Sequence, residues 1–357
     1  MTSTSSLGVS KVSGRRAFLR FGGVGKSSLK RRIRFSPYTY ARVAVMKSML
    51  LSKQDYDRLD KMGYYEVLRF LQDSSYKKEI DDHEVLAHGI KVIEQALNAN
   101  LMRTFRKLER ISQGSLQDLI GLYLMRYDIA NFKTVLRAKA AHIPASQVMP
   151  LLYDSLEYSS AFWETLLSRE TFEQVVTSLP MFRYLRISSL ELFDVENTLD
   201  HYYAQKMIDF ASSLRGEGKL IMTFIEQELE TLNIKMLLRF VEEGNYDVTP
   251  YLVAPSHFIH TLSKIRSKSG FVAALHKHKR TVLTGEEIDY DVRLEIDLER
   301  SLLRKESLLM HKHLLSANYI LGFMFAKEIE VRNLKIIVKG KKLCVAAKYV
   351  DELVVSN

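Results

Sequence analysis

The sequence predicts an all-α protein made from one helical module used three times. Apolar residues recur at steps of three and four along most of the chain, and no convincing run alternates with the period of a strand. A short polar motif also returns at even spacing, the mark of an internally repeated fold.

Composition bounds the rest. With 46% hydrophobic and 26% charged residues the chain has the balance of an ordinary soluble globular protein, and 357 residues suffice for several cores. A single cysteine, Cys344, excludes an internal disulfide framework and a thiolate metal cage, and fits a reducing cytosolic compartment. The formal net charge of +10 sits almost wholly in residues 1–36, which hold nine Lys or Arg and no acid. The body is therefore near neutral, and basicity alone does not argue for nucleic acid. The longest uncharged apolar run near the C-terminus, Leu314 to Ala326, has 13 residues. A membrane-spanning helix needs roughly 20.

Residues 1–36 read as a disordered basic tail that contains two decoys. Gly22-Gly23-Val24-Gly25-Lys26-Ser27 resembles a phosphate-binding loop, but Arg20 stands where the first glycine of that motif belongs. No buried strand precedes it and no strand–helix alternation follows, so the sheet that would hold such a loop is missing. Arg15-Arg16 resembles an export signal, yet the required apolar stretch is replaced by glycines and further basic residues. The Ser- and Arg-rich, acid-free composition also resembles an organellar transit peptide, but it lacks a clear amphipathic face.

From Pro37 the body is helical. Ile90, Ile93, Leu97, Leu101, Phe105, Leu108 and Ile111 form one stripe on a long helix. Gly114 breaks it, and Ser115 with Asp118 is read as the cap of the next helix, Leu116 to about Lys139, which is apolar nearly all round. This hairpin is the second half of a unit that recurs around Gly216–Gly218 and near Ser316–Asn318, the third copy being about one turn shorter at its tip. The first halves, from Leu59, Phe162 and Phe258, each read as two short helices with a tight connection. Pro37, Pro144, Pro150, Pro250 and Pro255 fall at helix boundaries. The expected domains are helical repeats 37–145, 146–247 and 248–357. "LKIIVKGKKLCVAAKYV" alone would pass for a β-hairpin; its place in the third repeat predicts helix instead, with a stop at Gly340.

The repeated polar residues are Asp128, Asn131, Lys133 and Arg137; Glu230, Asn233, Lys235 and Arg239; and Glu330, Asn333, Lys335 and Lys339. The asparagines lie 102 and then 100 residues apart. An upstream landmark, Glu-x-x-Leu, begins at Glu94, Glu196 and Glu299. Each acid shares a helix face with its Asn. Asn is unfavourable inside a helix, so three copies imply a partner. The expected partner is buried backbone where the first-half helices end against the hairpin. No third group recurs to make a catalytic dyad, and no cofactor is expected. His257, His260, His276, His278, His311 and His313 crowd the third repeat, but His-x-His on a helix points its rings about 200° apart. The interleaved lysines would repel a cation, so no metal is expected either.

"YARVAVMKSMLLSKQDYDRL", "YDIANFKTVLRAK", "NIKMLLRF" and "KEIEVRNLKIIVKGKK" together resemble the family of C subunits of archaeal and bacterial V/A-type ATPases, relatives of the d subunit of eukaryotic V-ATPases. The resemblance runs from Pro37 to the C-terminus. It implies three similar domains around a pseudo-threefold axis, forming a funnel. It also implies a non-catalytic central-stalk subunit, one per complex, at the cytoplasmic face of the membrane. There it would join the proteolipid ring to the central shaft subunits of the D and F type and transmit torque for ion transport linked to ATP synthesis or hydrolysis. Two other readings compete: a P-loop enzyme, and a helical-repeat scaffold whose basic tail binds nucleic acid. Neither direct bilayer insertion nor nucleic-acid binding is expected on the leading reading.

Overall fold

A computed structural model describes residues 31–33, 36–83, 90–183, 185, 189–243, 248–279, 296–305 and 316–355. Among these the regular elements are all helical. Helix α1 (Pro37–Ser48) starts with proline at its first position, where no N–H is needed. Next comes α2 (Lys53–Lys61), started by a reciprocal capping box in which Ser52 N–H donates to Asp55 Oδ2 at 2.8 Å. It is followed by α3 (Tyr64–Gln72) and α4 (Lys77–Asp82). The first long hairpin is α5 (Ile90–Ile111) and α6 (Ser115–Ala140). Short helices α7 (Ala145–Val148), α8 (Ser160–Leu167) and α9 (Phe172–Ser178) lead to the second hairpin, α10 (Leu192–Ser213) and α11 (Gly218–Glu243). Then α12 (His257–Leu262), α13 (Lys268–Lys279) and α14 (296–305) precede α15 (Ala317–Lys342) and α16 (Ala347–Leu353).

Side-chain oxygens explain where the short helices begin. Ser159, Thr171 and Ser256 accept from the N–H groups of Phe162, Gln174 and Ile259, satisfying donors that a helix start leaves open. The stripe on α5 faces inward, with Ile93, Leu97, Phe105 and Leu108 fully buried. On α6, Leu119, Ile120, Tyr123, Phe132, Val135 and Leu136 are all inaccessible, as an all-round apolar helix requires. One large core spans most of the helices. A smaller one gathers Ile234, Leu237 and Leu238 of α11 with Ile259, Phe271 and Leu298.

The long helices pack across repeats as well as within them. Helix α6 lies against α10, and α15, last of the long helices, returns to α5 and α1. Helix α11 also touches α15.

Three local expectations change. Gly114 sits outside α6 with φ +58° and ψ −137°, a conformation open to glycine, and no side chain caps the helix. Ser115 is the first helical residue, and Asp118 donates its backbone N–H to Gly114 O. Gly340 is not a stop, because α15 runs on to Lys342 and Cys344 takes the left-handed turn at φ 55°. Val345 N–H donates to Gly340 O at 2.9 Å and Cys344 N–H to Lys341 O at 3.3 Å, the paired bonds that close a helix end. His142 does the same after α6, also at φ 55°. Gly340 is needed for packing: a Cβ there would lie 2.4 Å from Val350 Cγ2 of α16. Finally, ordered contacts begin before Pro37. Arg31 N–H donates to Ser213 O at 3.0 Å, and Arg215 N–H donates to Arg31 O at 2.8 Å. The phosphate-loop-like stretch and the twin arginines lie outside the described residues.

The two positions should respond with opposite signs in urea unfolding. Cys344→Gly removes left-handed strain and should stabilise by about 0.5–1 kcal/mol. Gly340→Ala overpacks the α15–α16 contact and should cost about 1–3 kcal/mol. A neutral Gly340→Ala would restore this glycine as a mere helix terminator.

Candidate functional site where the repeats meet

Each repeated asparagine is a two-pronged clamp on backbone. Asn131 Nδ2 donates to Tyr153 O at 2.8 Å, and Tyr153 N–H donates back to Asn131 Oδ1 at 2.8 Å. Asn233 makes the same pair with Val253, both bonds 2.8 Å. Asn333 makes it with Val355 at 2.7 and 2.9 Å. All three amides are at most 1% exposed. Both ends of the amide are used on one residue, so its orientation is determined and each clamped stretch of chain is held in register. The held segment lies 20–22 residues downstream of the Asn, on the way out of the hairpin. The first-half helices themselves are not the partner.

The basic residues reach across to the neighbouring repeat's landmark acid. Arg137 forms a bidentate pair with Glu196, at 2.6 and 2.7 Å. Lys235 pairs with Glu299. Lys339 pairs with Glu94 at 2.6 Å, so the last repeat returns to the first. Lys133 bonds Asp200 at 2.6 Å, and Lys335 bonds Asn98 at 2.6 Å, four residues beyond Glu196 and Glu94 respectively. The corresponding position in the third repeat is Leu303, which offers no oxygen, and Lys235 takes Glu299 itself. Arg332 also reaches Glu299. Arg239 is exposed on α11. The pairs with an exposed cation, Arg137–Glu196 and Lys339–Glu94, add little stability singly and act mainly to select the neighbour.

The motif acids have separate surroundings. Glu330 is 3% exposed and accepts from Leu51 N–H at 2.5 Å, Tyr76 Oη at 2.6 Å and Lys327 Nζ at 2.8 Å. Asp128 is 4% exposed, and burial pushes its carboxyl up to about 7 against a hydrogen bond from Ser155. Glu230 is half-buried on α11.

A further cluster unites the three repeats at one point. Five residues before each motif asparagine stand Arg126, Glu228 and Glu328. Arg126 Nη2 contacts Glu228 Oε2 at 2.8 Å, and its Nη1 contacts Glu328 Oε2 at 3.2 Å. Tyr123 donates to Glu328 at 2.8 Å, Tyr127 also donates to it, and Arg126 donates to Tyr203 Oη at 3.1 Å. The Arg126 guanidinium also lies 3.7 Å from the Tyr123 ring centre. The side chains are about a fifth exposed, at 21%, 18% and 18%. Burial raises the Glu228 carboxyl pKa, and Arg126 opposes that rise. A search for repeated letters misses this cluster because its residues differ. The usable signal was that all three equivalent positions carry charge.

Among the described residues, no group of three His, Cys, Asp or Glu could hold a metal ion. His276 and His278 lie on α13, His257 and His260 on α12, and His311 and His313 outside the described residues. No described helix is long and apolar enough to cross a membrane.

The family model of the ATP synthase (C/AC39) subunit matches residues 39–353. The C subunit of the A-type ATP synthase of Methanococcoides burtonii is 32% identical over 349 residues, covering 93% of this chain and 96% of the relative. Its counterpart in Methanosarcina acetivorans is 31% identical, over 92% of this chain and 96% of the relative. That of Archaeoglobus fulgidus is 30% identical, over 85% and 91%.

Arg126→Met should cost about 3–5 kcal/mol in urea unfolding, because two carboxylates are left facing each other without their cation. The triple variant Arg126→Met, Glu228→Leu, Glu328→Leu should recover most of that loss. Asp128 adds a pH signature. Its folded pKa lies above the unfolded one, so it favours the fold most below the unfolded value near 3.8, and that contribution falls as pH rises towards about 7. Asp128→Asn should therefore stabilise the protein by up to about 4 kcal/mol at pH 8 and by little at pH 4.

Proposed function

The chain belongs to the ATP synthase (C/AC39) subunit family, and from that premise we propose that it couples the proteolipid ring of a rotary ATPase to its central shaft. It is a subunit of such an enzyme complex. On this reading it performs no catalysis: it sits at the cytoplasmic face of the membrane and passes torque between ring and shaft subunits of the D and F type. Three helical domains, 37–145, 146–247 and 248–357, would surround a pseudo-threefold axis and leave a funnel.

The observation that carries the reading is the meeting of Arg126 with Glu228 and Glu328, equivalent positions of three repeats. Around it the seam pairs run Arg137 to Glu196, Lys235 to Glu299 and Lys339 to Glu94, each repeat to the next and the last to the first. Such a closed set of braces resists relative rotation of the repeats, which a torque-bearing part requires. Long close-packed helices add stiffness. Ile143 beyond α6, and Leu343 and Val345 beyond α15 with Tyr349 on α16, are exposed apolar residues of the kind that protein partners cover.

Gently solubilised membranes should yield this chain bound to a proteolipid ring and shaft subunits, while the isolated chain should hydrolyse no ATP. Recovery of a free monomer alone would overturn the proposal.

A further inference from the structure

Where the third repeat returns to the first, the contact is not a copy of the others. At the position of Lys327 on α15, the first and second repeats carry Met125 and Gln227. Lys327 is 4% exposed, and its ammonium donates to Glu330 and to Tyr76 Oη, each at 2.8 Å. An ammonium has three N–H groups, so two oxygen acceptors leave room for a third, beside the Tyr76 ring whose centre is 4.1 Å from the nitrogen.

Beside it lies a cavity of about 240 Å³ between α1, α5 and α15. Arg103, Lys107 and Lys327 contribute to its wall, and no acidic residue does. The charge on Arg103 is met from behind by Glu79, and that on Lys327 by Glu330. Lys107 has no acidic partner among the described residues, and it is exposed. The cavity thus retains an excess positive charge. Its apolar lining comes from Met46 of α1, Met49 and Leu50 just beyond that helix, and Phe323, one turn before Lys327 on α15. Met49 is 57% exposed.

We propose that this seam cavity binds an anionic amphiphile, a phosphate or carboxylate on a short apolar chain. The anion would sit against Lys107, Arg103 and the remaining N–H of Lys327, and the chain would lie along Met46, Met49 and Phe323. A few polar groups beside apolar side chains are the common arrangement in small-ligand sites, and the small volume limits the ligand to a short chain. Bound there, the ligand touches α1 and α5 of the first repeat and α15 of the third, so it bridges the seam. The inference stands on the cavity alone and does not depend on the rotary reading.

The test uses the full chain and octyl phosphate below its micellar concentration, followed by calorimetry and thermal shift. Saturable one-to-one binding is expected, with octanol at least about tenfold weaker because it lacks the charge-assisted contact. Lys107→Glu and Met49→Glu, both at exposed positions, should each weaken binding by about tenfold or more. Lys219→Glu, exposed on α11, should leave it unchanged. A second arm measures flotation with vesicles of phosphatidylglycerol against phosphatidylcholine: binding to the former that is lost in Lys107→Glu identifies a lipid as the source of the anion, whereas binding of octyl phosphate alone identifies a free ligand. Absence of saturable binding in both arms, equal binding of octanol, or undiminished binding by both glutamate variants would each overturn the proposal.

Discussion

One guanidinium between two carboxylates organises this molecule. Arg126, Glu228 and Glu328 occupy the same place in three related repeats, so identical units would put three like charges against one another. Repulsion at such a point forces the copies to differ. One repeat carries the cation and two carry the anions, leaving a single excess negative charge; Tyr123 and Tyr127 donate to Glu328, while Tyr203 accepts from Arg126. Tyrosine suits both roles, because its ring excludes water while its hydroxyl can donate or accept. The arrangement also makes the repeats non-interchangeable, which ties their order in the sequence to their place around the meeting point.

Two layers of polar structure surround that point, and they do different work. Asn131, Asn233 and Asn333 act within the chain that follows each hairpin, using both amide ends on one backbone residue. Losing such a clamp strands a buried donor and a buried acceptor together, which is costly. The Lys and Arg pairs act between repeats and lie nearer solvent. Their value is in choosing the neighbour, since a repeat set one place wrong would meet the wrong charge. Burial therefore sorts the motif: the amide sits at its dry centre, and the cations reach outward.

Helix ends show the same division between common plan and local solution. The turn before α6 uses Gly114 at positive φ, and Gly216 does so before α11, while Ser316 precedes α15 in an ordinary extended conformation. After α6 and α15 the left-handed residue is His142 or Cys344, neither of which has glycine's freedom. The corresponding residue of the second repeat is Gly244, outside the described region. A position can therefore demand one backbone shape without dictating one residue, which is why Gly340 looks like a helix stop in the letters and is not one in space.

The amino-acid sequence by itself determined the helical class, the hairpins and the repeating acid–Asn–Lys motif, because periodicity and spacing are properties of a local stretch of chain. It also marked Asn131, Asn233 and Asn333 as needing partners, since an amide inside a helix is unfavourable without one. What those amides hold, which acid meets which base, and the gathering of Arg126, Glu228 and Glu328 were decided only by tertiary structure. Charged residues are common and many pairings are equally compatible with the letters; selection comes from packing that brings groups about a hundred residues apart within reach. The seam cavity belongs to this second class, because its wall is assembled from helices far apart in the chain.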